Sequence, residues 1–155
     1  MNKEGSLDMA LALCTGCSIG TCVDTAKLVE AAGEAIQGIS CLKHDCLCSE
    51  AGLAELNKMT REKGVKRLAV AACSPRVKNS EFELDGVQVE RINLREQVAW
   101  VMETGHEDTQ MCAEDQTRMV LAKLESISDI KPYVPEQLSS DILVLGGGIA
   151  GLTSA

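Results

Sequence analysis

The residues most able to do chemistry in this sequence are its cysteines. Seven of the eight, Cys14, Cys17, Cys22, Cys41, Cys46, Cys48 and Cys73, fall in the first half of the 155 residues, grouped as C-x2-C-x4-C, C-x4-C-x-C and a single residue. A thiolate is at once a nucleophile, a redox group and a soft metal ligand. Four of them meeting in space would satisfy either tetrahedral zinc or a 4Fe-4S cluster. A zinc ribbon uses two compact C-x-x-C knuckles, and here only Cys14 and Cys17 form one. The dispersed pattern therefore suits a cluster held by loops better than it suits zinc. Two other readings stay open: a structural or docking domain whose thiolates hold zinc, and a thiol-redox module working through Cys14 and Cys17. On pattern alone, Cys22, Cys41 and Cys46 read equally as ligands or as spare thiols, and Cys112 reads as an inert thiol bordering a helical apolar stripe. His44 lies within the cysteine-rich loop but reads as a surface residue, because thiolates already exceed the four required, and His106 reads as solvated. No nucleophile stands beside a recognisable base, so this chain is not expected to be catalytic by itself.

For such distant cysteines to meet, the elements between them must bring them to one place. Met9 to Leu13 and Lys66 to Ala72 are short apolar runs, ending at Cys14 and Cys73, that read as buried strands. Weaker extended segments lie near Gln37 to Cys41 and Val87 to Ile92. Helical signals alternate with these. Asp24 caps a helix presenting Leu28, Val29, Ala32 and Ile36, and Ser49 caps another presenting Leu53, Leu56 and Met59. Gly38 and Gly64 are suitable stops. Asn93 and Glu96 form a capping-box signature before Leu94, Val98, Val101 and Met102, and a last helix, about Asp108 to Ile127, carries Ala113, Thr117, Val120, Leu124 and Ile127 on one face. The expected fold is α/β, a small mainly parallel sheet of about four strands flanked by helices. In a parallel sheet the carboxyl ends of the strands share one edge, where open α/β folds bind their ligands, so each cysteine group following a strand would arrive at that edge.

Beyond residues 1–127, the expected domain, the segment 128–140 holds Pro132 and Pro135 among polar residues and has the composition of a linker. Asp141 to Leu145 then reads as a strand, followed by the G-x-G-x-x-G spacing at Gly146, Gly148 and Gly151. The logic of that motif is a tight turn, close backbone approach to a pyrophosphate and amides at a helix amino-terminus. The acidic residue that holds a ribose is expected about 20 positions further on, past Ala155. Residues 141–155 thus read as the truncated start of a Rossmann-type FAD domain, with FAD bound only by a longer parent and the chain mobile after about Leu138.

Composition excludes several partners. A formal net charge of −8 would repel a phosphate backbone, and one Trp, one Tyr and one Phe leave no stacking platform for single strands. No apolar run approaches the roughly 20 residues of a membrane span, and Met1 to Asp8 lacks the regions of a signal peptide. The chain reads as cytoplasmic, a reducing compartment in which metal binding explains so many cysteines better than disulfides do.

These motifs together resemble the amino-terminal domain of the heterodisulfide reductase A-subunit (HdrA-like) family. The resemblance is carried by Val70-Ala71-Ala72-Cys73-Ser74-Pro75-Arg76, by Asn93-Leu94-Arg95-Glu96-Gln97-Val98-Ala99-Trp100-Val101, by Ile142 through Ala155, and by Cys48-Ser49 with Gly52. It implies a soluble, FAD-containing, multi-cluster oxidoreductase subunit that passes electrons among partner proteins, in some members by flavin-based electron bifurcation. The implied partners are other redox subunits, heterodisulfide-reductase-like or linked to a hydrogenase or dehydrogenase, and ferredoxin-like carriers. Joined to the spacing argument, it gives Cys14, Cys17, Cys48 and Cys73 as ligands of one 4Fe-4S cluster that relays electrons between the parent's flavin and other proteins. Departures are visible. Family members usually open with C-x-C-G, Cys22 is additional, Cys41 and Cys46 have no counterpart, and the loop Val77 to Gly86 is short, with Lys78 where a His is common. Arg76 and Arg95 are candidates to place positive charge beside the cluster, although Arg95 reads rather better as half of a structural pair with a carboxylate, since arginine forks suit such packing.

Overall fold

The computed structural model describes residues 8–127 and 141–154; the amino-terminal segment through residue 7 and the expected linker 128–140 lie outside the described residues. Four strands, β1 (Met9–Cys14), β2 (Ser40–His44), β3 (Arg67–Ala72) and β4 (Gln88–Asn93), form one sheet in the order β2-β1-β3-β4. Every neighbouring pair is parallel. The central strands explain the pattern. All six residues of β1 are buried, as are five of the six in β3. A strand covered on both faces must be apolar throughout rather than alternating.

Helices α1 (Ile19–Cys22), α2 (Thr25–Ala35), α3 (Glu50–Glu62) and α4 (Glu107–Ser126) accompany the sheet. From β1 to β2 the chain moves one way along the sheet, and from β2 to β3 it moves back past β1. Right-handed crossovers then put α2 and α3 on opposite faces. Helix α2 packs on α4, which lies over β3 and β4, while α3 contacts β2. Leu28, Leu56, Leu121 and Leu124, at 0% exposure, join Leu11, Leu13 and Leu68 in one core. Burial of each such side chain is worth about 1.5–3 kcal/mol before entropy is counted.

Local signals set the helix boundaries. The Asp24 side chain accepts a hydrogen bond from the Ala26 amide at 2.9 Å, and Ser49 accepts from Gly52 at 3.1 Å. His106 caps α4 by accepting from the Asp108 amide, a role the sequence did not signal.

Three expectations are corrected. Strand β2 is Ser40–His44 rather than Gln37 to Cys41, because Gly38, at φ 78°, takes up the turn and register with β1 starts at Ser40. The Asn93 side chain does accept from the Glu96 amide, but the chain then enters a π-helical turn, Arg95–Ala99, closed by Trp100 N–H to Arg95 O. That wider turn shifts the succeeding residues around the axis, and Val101 emerges 69% exposed instead of sharing the buried face. Asp141 to Leu145 forms no strand: among the described residues it joins no sheet, and a strand needs a neighbouring strand to complete a ladder of amides and carbonyls. The glycine turn after it does form, leading into α5 (Ile149–Ser154), with Gly146 at φ 112°.

Candidate metal centre

In sheets of this kind the ligand crevice opens where the strand order reverses, here between β1 and β3 at their carboxyl ends. Cys14 is the last residue of β1 and Cys73 the first after β3. Because Leu13 pairs with Ala71, the two cysteines leave adjacent strands one residue apart in level. Both are nearly buried.

The turn after β1 is locked to the end of β2. The Thr15 amide donates to His44 O at 3.0 Å and its hydroxyl to Asp45 Oδ1 at 2.8 Å. Gly16 lies so close to the Asp45 carbonyl that a Cβ would overlap the oxygen. Cys17 and Ser18 come next at φ 52° and 70°, left-handed conformations that cost an L-residue about 1–2 kcal/mol each. That strained pair places Cys17 at the surface and starts α1.

The turn after β2 is as tightly held. His44 Nδ1 accepts from the Cys46 amide at 2.9 Å, and the Ser49 hydroxyl donates to Cys46 O at 2.7 Å. Gly52 meets Leu47 Cα at a would-be Cβ distance of 2.8 Å, so α3 begins pressed against this turn. It brings Cys46 and Cys48 to 3.7 Å, sulfur to sulfur. The Cys14 thiol lies 3.8 Å from Asp45 O, at the base of the same loop.

Beyond β3, Arg91 of β4 holds the chain. Its Nη2 donates to Cys73 O at 2.7 Å and approaches Cys73 Sγ at 3.0 Å. The Ser74 amide donates to Glu96 Oε2 at 2.7 Å, so Glu96 ties the π-helical turn to the cysteine loop instead of completing a capping box. Arg95 closes the rim: it pairs with Glu96 at 2.6 Å, stands over Trp100, and reaches to 3.9 Å from Cys17 Sγ.

The charges join these loops. Lys78 is raised above the ordinary lysine value by its hydrogen bond to Glu81, then by that carboxylate's charge, with Cys48 and Cys73 adding to it. Arg95 is raised first by its bond to Glu96, with Cys17 and Cys73 contributing. Burial pushes Glu96 up, but hydrogen bonds from Arg95 and the Ser74 amide outweigh it and leave it below the usual carboxylate range. Burial pushes the Cys48 thiol up, reinforced by its hydrogen bond to Cys46, by the Cys46 charge and, more weakly, by Cys14, against the pull of Lys78. Among these sulfurs, Cys46 lies against Cys48, while Cys73 and Cys17 each face an arginine, Arg91 and Arg95.

The other cysteines stand apart from this rim. Cys22 ends α1 at 2% exposure, and Cys41 lies inside β2, not beyond its end, where burial raises its thiol against the pull of Lys63. Cys112, on α4, accepts from Gln116 Nε2 at 3.5 Å. Arg76 is exposed on the wall of an open cleft of about 980 Å³; its amide donates to Ser74 Oγ at 3.2 Å, and its guanidinium has no partner among the described residues. Sequence reasoning missed Arg91, although an arginine near the carboxyl end of an expected extended segment was a visible signal.

The donor set is soft sulfur at a ligand edge, which suits a group held by several thiolates. Among the described residues, no three His, Cys, Asp or Glu side chains are grouped closely enough to hold a single metal ion. In a cluster each iron takes its own cysteine, so its ligands need not converge on one point.

No family model matches the chain. The A-subunit of an H(2):CoB-CoM heterodisulfide,ferredoxin reductase from Methanothermobacter thermautotrophicus is 33% identical over 149 residues, 90% of this chain and 22% of the relative. The A-subunit of a ferredoxin:CoB-CoM heterodisulfide reductase from Methanosarcina mazei is 29% identical over 147 residues, 90% of this chain and 18% of the relative. The chain belongs to the heterodisulfide reductase A-subunit family. A further member, from Methanopyrus kandleri, is named as an iron-sulfur A-subunit of a CoB–CoM heterodisulfide reductase and is 25% identical over 90% of this chain and 22% of its own length. This chain spans about a fifth of the length of these relatives.

Proposed function

We propose that this chain of the heterodisulfide reductase A-subunit family is an electron-transfer domain in which Cys14, Cys17, Cys48 and Cys73 hold one 4Fe-4S cluster. The observation that carries the reading is the position of these thiols. They follow three separate strands at the carboxyl edge of the sheet; Asp45 ties the loop after β1 to the loop after β2, and Arg91 and Glu96 fix the loop after β3 to β4 and to the turn beyond it. The iron-sulfur name of the Methanopyrus relative supports it. Bound there, such a group supplies one-electron exchange. The chain's own part is to hold the sulfurs in place, to bury Cys14 and Cys73, and to leave Cys17 at the surface where a partner approaches. The glycine turn at Gly146, Gly148 and Gly151 belongs, in this reading, to the FAD domain of a longer protein. Electrons then pass between that flavin and other redox subunits or ferredoxin-like carriers. Among the described residues no helix is long and apolar enough to cross a membrane.

One observation favours a second reading. Cys46 and Cys48 lie 3.7 Å apart, and such a pair can cycle through a disulfide without metal. Zinc held for docking is the remaining alternative. Anaerobic purification followed by iron, sulfide and zinc analysis with electron paramagnetic resonance separates the three. About four irons with a reducible signal are expected, lost in Cys48→Ser and Cys73→Ser and kept in Cys112→Ser. Zinc without iron, or no metal at all, overturns the proposal.

A further inference from the structure

Three cations stand at the cysteine rim, and two of them are neutralised. Lys78 is paired with Glu81 at 2.8 Å and Arg95 with Glu96 at 2.6 Å. Arg91 pairs with no carboxylate among the described residues. Its guanidinium lies over the Phe82 ring, 4.3 Å from the centroid, and its Nε is buried without a hydrogen-bond partner. An arginine stacked on an apolar ring and partly removed from water carries a field little weakened by solvent. The nearest sulfur is Cys73 Sγ, 3.0 Å from Nη2; the same nitrogen serves Cys73 O at 2.7 Å and lies 3.4 Å from Ser74 O. Nη1 reaches toward Lys78 O at 3.5 Å. Placed this way, the guanidinium fixes both the direction of the Cys73 side chain and the charge beside it.

We infer that Arg91 is a positioning residue that sets the reduction potential of the electron carrier through its hydrogen bond and uncompensated charge on Cys73. The inference rests on the cluster reading above. A cluster held by four thiolates would be anionic, and taking up one electron would add a negative charge beside Cys73. A cation within hydrogen-bond reach of one ligand sulfur therefore stabilises the reduced state more than the oxidised one and raises the potential. Neither Lys78 nor Arg95 contributes as much, because a carboxylate at each cancels most of its field at distance. Arg76, singled out in the sequence for the same role, is exposed to solvent, which screens it.

The test is an anaerobic redox titration, with dithionite as reductant and the paramagnetic signal as readout, on the unsubstituted chain and on Arg91→Gln, Arg91→Lys and Arg76→Gln. Arg91→Gln is expected to keep its iron and lower the midpoint potential. Arg91→Lys keeps the charge but not the fork and is expected to lower it less, and Arg76→Gln should leave it unchanged. A potential unaltered in Arg91→Gln overturns the inference while leaving the cluster reading intact. If that variant does not fold, an unaltered potential in Arg91→Lys does the same. Loss of iron from both Arg91 variants, with native circular dichroism, also overturns it, since Arg91 would then be only a cross-link. Absence of iron from the unsubstituted chain removes the cluster reading itself, and the inference with it.

Discussion

Two turns of this molecule obey one steric rule with different reach. At the rim, Gly52 is pressed against the Cys46–Leu47 backbone, and in the glycine turn Gly151 is pressed against the Gly146 carbonyl; neither position has room for a Cβ. The difference lies in what each close approach joins. Gly52 sits at the start of α3, and its contact fastens that helix to the loop carrying Cys46 and Cys48, itself bonded to the turn after β1. Gly151 joins residues five apart, just as Gly52 joins residues five and six apart, but the Gly52 loop is bonded onward to a distant segment through Asp45 and Thr15. A local closure shapes a peptide, and it sets the geometry of a site where the loop it fastens is itself tied to a distant segment.

The sharpest way to break the comparison is Gly52→Ala. Alanine is the better helix former by about 1 kcal/mol, so propensity alone forecasts a gain. The overlap with Leu47 and with the Cys46 carbonyl forecasts the reverse, because the loop backbone must move. A net loss of about 2–3 kcal/mol is expected in urea unfolding, together with lower iron content. A neutral or stabilising result would mean that the rim is softer than its contacts indicate.

Glu96 sharpens the same contrast electrostatically. Its carboxylate accepts from the Ser74 amide and from Arg95, joining two loops, and its net pKa is depressed in the folded chain. A carboxyl group that is more acidic when folded contributes stability above its unfolded value, about 4.3, and loses it as the pH falls through the folded value. Its side chain is 26% exposed, so screening holds the effect of Glu96→Gln to about 1 kcal/mol at pH 7. The gap between variant and parent should close below about pH 4 when unfolding is followed across pH. A gap that stays constant into acid would assign the loss to shape instead of charge.

Much of this arrangement is legible in the sequence where the signal is local. The buried runs at Met9 and Lys66 become central strands, and Asp24 and Ser49 become caps, because burial and capping depend on residues a few positions apart. Contacts between distant segments are not encoded that way. Glu96 has the spacing of a capping box, yet its carboxylate turns to Ser74, 22 residues away, since that amide needs an acceptor where β3 ends. Cys41 reads as a rim residue until the register of β2 with β1 places it inside the strand. Arg91 shows only as a charge in an edge strand; its four acceptors, Cys73 O, Cys73 Sγ, Ser74 O and Lys78 O, come from the loop folded over it.

The smallest effect makes the most direct comparison with Gly52. Gly151→Ala commits the same steric offence, a Cβ against a carbonyl, so the turn at Gly146 must open. No strand forms at Asp141 to Leu145, Ile142 and Leu145 are 88% and 86% exposed, and the core is assembled from residues 9–124. Unfolding of the four-stranded domain, read from the circular dichroism of its helices, should therefore shift by less than about 0.5 kcal/mol. Iron content should not change. A loss approaching that of Gly52→Ala would show that the glycine turn is packed against the domain, and that its closure too reaches beyond its own residues.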